Sequence, residues 1–191
     1  MELKIVEESP AVLADYEKVS IAFSVETFFR LELVENGLSG FKLTEELVEK
    51  PFIKDYDEFE EDKPTRWAER FDLSNWGFFS AFDGEKRIGG AAAVWKSPEI
   101  FMLEGQGDLA CLWDLRVAPE YRGKGVGNLL FASALNWAKE RDCRLFKVET
   151  QNINVPACRF YVRQGCHLGA FNLHAYPESL KEIQLVWYRN L

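Results

Sequence analysis

The sequence predicts an α+β fold, a single domain over residues 1–191 with a central mixed, mostly antiparallel sheet flanked by helices. Three observations carry that expectation. Strand patterns fill most of the chain before residue 118, strong helical periodicity is confined to two later stretches, and the closing order is strand, helix, strand, helix, strand. With 47% hydrophobic residues, 15 Phe and 6 Trp, the chain can supply a substantial core.

The elements follow in order. Ala22 to Leu33 sets Phe, Val and Thr among polar residues, Asn36-Gly37 is a hairpin turn signal, and Phe41 to Val48 is the returning strand, which Pro51 is expected to end. An acid-rich stretch leads to a short helix around Arg66 to Phe71. Gly77 to Phe82, the Asp83-Gly84 turn and Arg87 to Trp95 read as a meander, and Asp108 to Val117 is the next strand. From Gly125 to Arg141, Val126, Leu129, Leu130, Ala134, Trp137 and Ala138 recur at helical spacing, with Lys139 and Arg141 at the negative end. Leu145 to Thr150 is a strand. Val155 to Gln164 is a helix with Asn154 as its cap, Pro156 in its first turn and Gly165 at its stop. His167 to Leu173 and Ile183 to Tyr188 finish the sheet; the first twenty residues and the Ser97 to Gly107 loop carry no recognisable pattern.

Charge and composition exclude several classes. Thirty-one acidic against 23 basic side chains give a formal charge of -8, which disfavours nucleic-acid and anionic-membrane partners. The N-terminus has no basic region followed by an apolar run, and no stretch approaches the roughly 18 apolar residues of a membrane span, so a cytoplasmic location is expected. Cys111, Cys143, Cys158 and Cys166 lack Cys-x-x-Cys spacing, and His167 and His174 complete no ligand pattern, so no metal is expected and the cysteines read as small buried side chains. The densest charge run, Asp55, Asp57, Glu58, Glu60, Glu61 and Asp62, is either a solvated loop or an attractor for a polyamine.

The chemistry-bearing motif is Leu115-Arg-Val-Ala-Pro-Glu-Tyr-Arg-Gly-Lys-Gly-Val-Gly127, in which a strand gives way to a glycine-rich loop and then a helix. Such a loop cradles a pyrophosphate, because glycines admit close approach, amides point inward and the positive helix end faces the anion. It is not a P-loop, since Lys124 is followed by Gly125, nor a dinucleotide fingerprint, since Asn128 replaces the third glycine. A second segment runs Val148-Glu-Thr-Gln-Asn-Ile-Asn154-Val-Pro-Ala157-Cys-Arg-Phe160-Tyr161-Val-Arg-Gln-Gly165.

In order and spacing these segments resemble motifs A and B of the GNAT superfamily of N-acetyltransferases. Glu149-Thr-Gln, Ala157-Cys-Arg-Phe160-Tyr161, Tyr176, Val186-Trp187-Tyr188-Arg189 and Pro51-Phe-Ile-Lys-Asp-Tyr56 further resemble the streptothricin acetyltransferases. The resemblance covers the chain from about residue 20, and Trp113 departs from it, standing where a carboxylate is common in the superfamily and leaving the acceptor open.

The resemblance implies the GNAT fold and acetyl-CoA as cosubstrate, held without metal. Leu115, Arg116 and Val117 would lie against the pantetheine arm, and Arg122, Gly123, Lys124, Gly125, Val126, Gly127 and Asn128 would form the pyrophosphate loop. Asn154 would cap its helix and touch pantetheine, and a strand amide near Leu115 would stabilise the oxyanion. Tyr161 would protonate the departing thiolate and also belongs to the cofactor set. Glu149 is the expected base, in a pair with Tyr161 similar to that of the ribosomal-protein alanine acetyltransferases; Asp114 is the second choice, and an ordered water chain is the alternative. The implied acceptor is a cationic small molecule, a streptothricin-type antibiotic acetylated on its β-lysine amine. A protein or peptide amine, and a catalytically silent acyl-CoA sensor, are the competing readings; the protein would act as a monomer or homodimer.

Overall fold

The computed structural model describes residues 2–191 and contains a mixed seven-stranded sheet, a two-stranded sheet and four α-helices. In chain order these are β1 (Leu3–Glu8), α1 (Leu13–Tyr16), β2 (Phe23–Leu33), β3 (Phe41–Lys54), α2 (Trp67–Arg70), β4 (Trp76–Asp83), β5 (Lys86–Trp95) and β6 (Leu109–Val117). α3 (Val126–Lys139), β7 (Leu145–Gln151), α4 (Val155–Arg163), β8 (His167–Asn172) and β9 (Gln184–Asn190) complete the chain. The large sheet has the order β1-β4-β5-β6-β7-β9-β8, and β2 pairs with β3. The α+β class expected from the element order is the class observed.

Two compact units are distinguishable. The first comprises the chain up to Ala22 with Asp55–Val148 and Tyr188–Leu191; the second comprises Phe23–Lys54 and Glu149–Trp187. β7 and β9 each pass from one unit into the other.

In the first unit β1, β4, β5 and β6 pair antiparallel in turn, and β6 runs parallel to the start of β7. β4 and β5 read as nearly continuous apolar runs because both faces are covered. α3 packs on one side, where Phe131 meets Phe146 edge to face at 5.7 Å. On the other, Tyr16 of α1 and Trp67 of α2 join Trp76, Phe78, Val94, Leu109 and Cys111 in a buried cluster. Each such side chain withdrawn from water contributes about 1.5–3 kcal/mol. Gly90 is required here: any Cβ at that position would run into the Tyr16 ring, so a bare β5 backbone lets the aromatic lie on the strand.

The second unit is held by buried Asn152, 2% exposed. Its Nδ2 donates to the Phe29 carbonyl at 2.9 Å and its Oδ1 accepts from the Ile183 amide at 2.8 Å. Two backbone bonds to the same residues complete the clamp between β2, β7 and the entry to β9. A half-buried Lys54 donates to Glu182 at 2.7 Å, and Trp187 Nε1 donates to Thr150 Oγ1 at 2.8 Å.

Several boundaries differ from expectation. β1 was not expected, because only Leu3, Ile5 and Val6 mark it among charged residues, as suits an edge strand. Pro51 does not end β3, which continues to Lys54. Between the pairs Thr27↔Leu47 and Val25↔Phe52 the register breaks, so Val48 to Pro51 bulge opposite Glu26 and the missing proline N–H costs no ladder bond. The helix expected over Arg66 to Phe71 is a 3₁₀ turn over Pro64–Arg66 leading into the single turn of α2.

Candidate active site

The glycine-rich loop lies where the sequence put it. Gly123 and Gly125 take φ of +74° and +87°, and a Cβ at either would meet no atom within 4 Å. The side-chain-free space therefore lies in front of the loop, and the left-handed backbone is what glycine supplies at little strain. Gly125 is the N-cap of α3, so the Val126 and Gly127 amides belong to the first helical turn and have no carbonyl within the helix to bond. Amides at a positive helix end beside an open face fit an anionic diphosphate. Arg122 steadies the loop, its Nε donating to the Val117 carbonyl at 2.9 Å and its Nη2 to the Ser20 carbonyl at 3.3 Å. Lys124 lies 5.2 Å from the centre of the Tyr121 ring.

The strand leading into the loop is interrupted. β5 pairs Ala92↔Asp114 and then Ala93↔Leu112, so Trp113 is an extra residue bulged out of β6. A bulge takes its residue out of the ladder and re-aims the strand, which is how an amide is made available to a bound carbonyl. The Trp113 ring packs 5.4 Å from both Phe71 and Trp76. The break falls just before Leu115, where the oxyanion donor was expected.

The side chains of Asp114 and Arg116 bond to each other in the interior. Asp114 Oδ1 accepts from Tyr16 Oη at 2.6 Å and from Arg116 Nε at 2.9 Å, while Oδ2 accepts from Arg116 Nη2 at 2.7 Å. Arg116, 2% exposed, also donates through Nη1 to Asp57 Oδ2 at 2.7 Å and to the Val19 carbonyl at 3.1 Å. Burial opposes the Arg116 charge, but Asp114 beside it outweighs that and holds the guanidinium firmly protonated. Burial, and then the Asp114 charge, push the Tyr16 phenol well above its ordinary range, keeping it an O–H donor. Asp114 is thus one member of a buried, paired network in which both of its oxygens already accept hydrogen bonds. The Arg116 side chain is likewise committed to the core, which leaves only its backbone to face a cofactor.

The acidic run is also divided by the structure. Asp57 is spent on Arg116; Glu60 pairs with Lys63 and Arg66, and Asp62 with Arg70. Glu58 and Glu61 are exposed.

In the second unit Glu149 is half-buried on β7, and its Oε1 accepts from Tyr176 Oη at 2.5 Å. Tyr176 Oη in turn accepts from Gln151 Nε2 at 2.8 Å. Glu149 and Gln151 share a face of β7 because strand side chains alternate. Asn154 caps α4, its Oδ1 accepting from the Ala157 amide at 3.2 Å. Tyr161, on α4, is 6% exposed and sits 5.2 Å ring to ring from Phe160. The Tyr176 contact was not foreseen, since Tyr176 had figured only as a late aromatic. The one local hint was the Glu149-x-Gln151 alternation, which says nothing of a partner 27 residues away.

The four cysteines are buried as thiols, and burial pushes the Cys158 thiol up to about 11. Among the described residues no cluster of three or more His, Cys, Asp or Glu is placed to hold a metal, and no helix is long and apolar enough to cross a membrane.

Comparison with known proteins places this geometry. Residues 42–166 match the acetyltransferase (GNAT) family. Streptothricin acetyltransferase A of Bacillus subtilis is 31% identical over 156 residues, 81% of each chain. The streptothricin acetyltransferase of Escherichia coli is 29% identical, over 98% of this chain and 95% of that protein. A candidate streptothricin acetyltransferase from Bacillus anthracis, solved in complex with acetyl coenzyme A, superposes with a TM-score of 0.78 at 27% identity over the whole of both chains. An open glycine loop at the start of α3, a bulged β6 and matches of this breadth have one conclusion: the chain belongs to the acetyltransferase (GNAT) family and is an acetyl-CoA-dependent N-acetyltransferase.

Proposed function

We propose that the acceptor is a cationic small-molecule amine, a streptothricin-type antibiotic acetylated on the amine of its β-lysine arm. The observation that carries this reading is the breadth of the match: the relative from E. coli aligns with this chain over nearly the full length of both, including segments outside the family match. The formal charge of -8 suits a polycationic acceptor as well.

The residues have the following roles in this reading. The amides of Gly125, Val126 and Gly127 hold the pyrophosphate of acetyl-CoA, with Arg122, Gly123, Lys124 and Asn128 completing the loop. The backbones of Leu115, Arg116 and Val117, and Asn154, face the pantetheine arm. The amide at the Trp113 bulge meets the thioester oxygen as it gains charge. The acceptor arrives as an alkylammonium, whose ordinary pKa is about 10.4, and Glu149 takes one of its protons. The freed nitrogen attacks the carbonyl carbon, the new C–N bond replaces the C–S bond, and Tyr161 donates its proton to the departing thiolate. The proton then lost by the acylated nitrogen restores Tyr161, and Glu149 releases its own to solvent.

The test is an acceptor panel with acetyl-CoA and mass detection: streptothricin, lysine-like amines, spermidine and N-terminal peptides. Transfer of one acetyl group to the β-lysine amine of streptothricin is the expected result. Transfer to peptides with none to streptothricin would replace this acceptor with a protein one.

A further inference from the structure

We infer that Tyr176 is a positioning residue for the base, holding the Glu149 carboxylate in its working orientation and reserving one oxygen for the acceptor. This rests on the reading of Glu149 as the base. Tyr176 lies in the segment between β8 and β9, far from β7 in sequence, yet its hydroxyl sits 2.5 Å from Glu149 Oε1. The hydrogen of that contact is Tyr176's to give, because the Tyr176 oxygen already receives an N–H from Gln151 Nε2 at 2.8 Å. The chain of donation therefore has one direction, Gln151 to Tyr176 to Glu149.

The direction matters for the chemistry. A carboxylate with one oxygen held loses the freedom to rotate about its last torsion, and the other oxygen, Oε2, becomes the proton acceptor. Gln151 matters too, because a neutral amide on the phenol oxygen fixes the hydroxyl hydrogen toward Glu149 without adding a charge of its own. Both β7 residues present the same face of one strand, so the sheet sets two members of the chain of donation and the segment after β8 supplies the third.

The arrangement predicts a split that a packing role would not produce. Tyr176→Phe keeps the ring and deletes the hydroxyl, so kcat should fall about 10–100-fold, the rate equivalent of one hydrogen bond to a charged group, with KM for acetyl-CoA unchanged. Gln151→Leu should lower kcat in the same direction by less. The decisive experiment is a double-mutant cycle on the full-length protein, with streptothricin as acceptor and thermal melting as the folding control. In the Glu149→Gln background, Tyr176→Phe should cost no further rate, because the residue through which it acts is already disabled. Full activity of Tyr176→Phe in an enzyme that Glu149→Gln cripples would overturn the positioning role alone, as would a rate loss that adds in full to that of Glu149→Gln. Full activity of Glu149→Gln would remove the base itself, and this inference with it.

Discussion

Arg116 Nη1 lies 2.7 Å from Asp57 Oδ2, with the arginine side chain 1% and the aspartate side chain 15% exposed. This pair ties the acid-rich segment after residue 54 to β6, the strand that ends at the glycine loop. Deleting the cation leaves Asp57 and Asp114 uncompensated, so Arg116→Ala should lose about 3–5 kcal/mol in urea unfolding. Asp57→Asn should lose less, because Arg116 keeps Asp114 and the Val19 carbonyl.

The same pair has a pH signature. Burial holds the Asp57 carboxyl above the ordinary aspartate range, outweighing the opposing pull of Arg116. The native state therefore binds this proton more tightly than the unfolded chain does, and the contribution of Asp57 to stability falls as pH rises from the ordinary value through the raised native one. The stability of wild type minus that of Asp57→Asn should decline across that acidic window. A difference that grows with pH would reverse the assignment.

Gly125→Val introduces a β-branched residue at a φ of +87° and a side chain into the open face of the loop. The backbone strain should cost roughly 1–3 kcal/mol of stability. Calorimetry should show a much larger effect on acetyl-CoA, with affinity lost in a protein that remains folded. Unchanged affinity would move the pyrophosphate elsewhere.

Tyr161→Phe should lower turnover by about 10²–10⁴-fold, the range for a positioned acid, with little change in acetyl-CoA affinity. Turnover equal to wild type would leave Tyr161 as a packing residue of α4.

The electrostatic capture of the acceptor narrows to two residues. With Asp57, Glu60 and Asp62 paired to cations and half-buried Asp55 accepting the Asp57 amide at 3.0 Å, Glu58 and Glu61 are the exposed acids of the run best placed to act at a distance. Glu58→Gln with Glu61→Gln should lower kcat/KM for streptothricin and flatten its decline with added salt, since screening confines such a field to about 8 Å at physiological ionic strength. Identical salt dependence in wild type and variant would return both residues to solvent.

What could be read beforehand divides along physical lines. Gly123, Gly125 and Asn154 were legible because their residue types answer to local backbone demands: left-handed φ, or an exposed helix amide. The helix α3 announced itself by periodicity. The side-chain bonds of Asp114 and Arg116 were not legible, because their partners, Tyr16 and Asp57, lie 98 and 59 residues away in the sequence. Trp113 stood out in the sequence only as a departure from the superfamily pattern, since a bulge is visible only once two strands are in register. Pro51 reads as a stop only where a ladder is regular, and β3 is irregular there.

The most direct test of the central claim is a competition between acceptors. Streptothricin and an N-terminal peptide, mixed at equal concentration with limiting acetyl-CoA, divide the acetyl group in the ratio of their kcat/KM values, read in one mass spectrum. Nearly all of the label is expected on the β-lysine amine of streptothricin; label predominantly on the peptide would make the acceptor a protein amine instead.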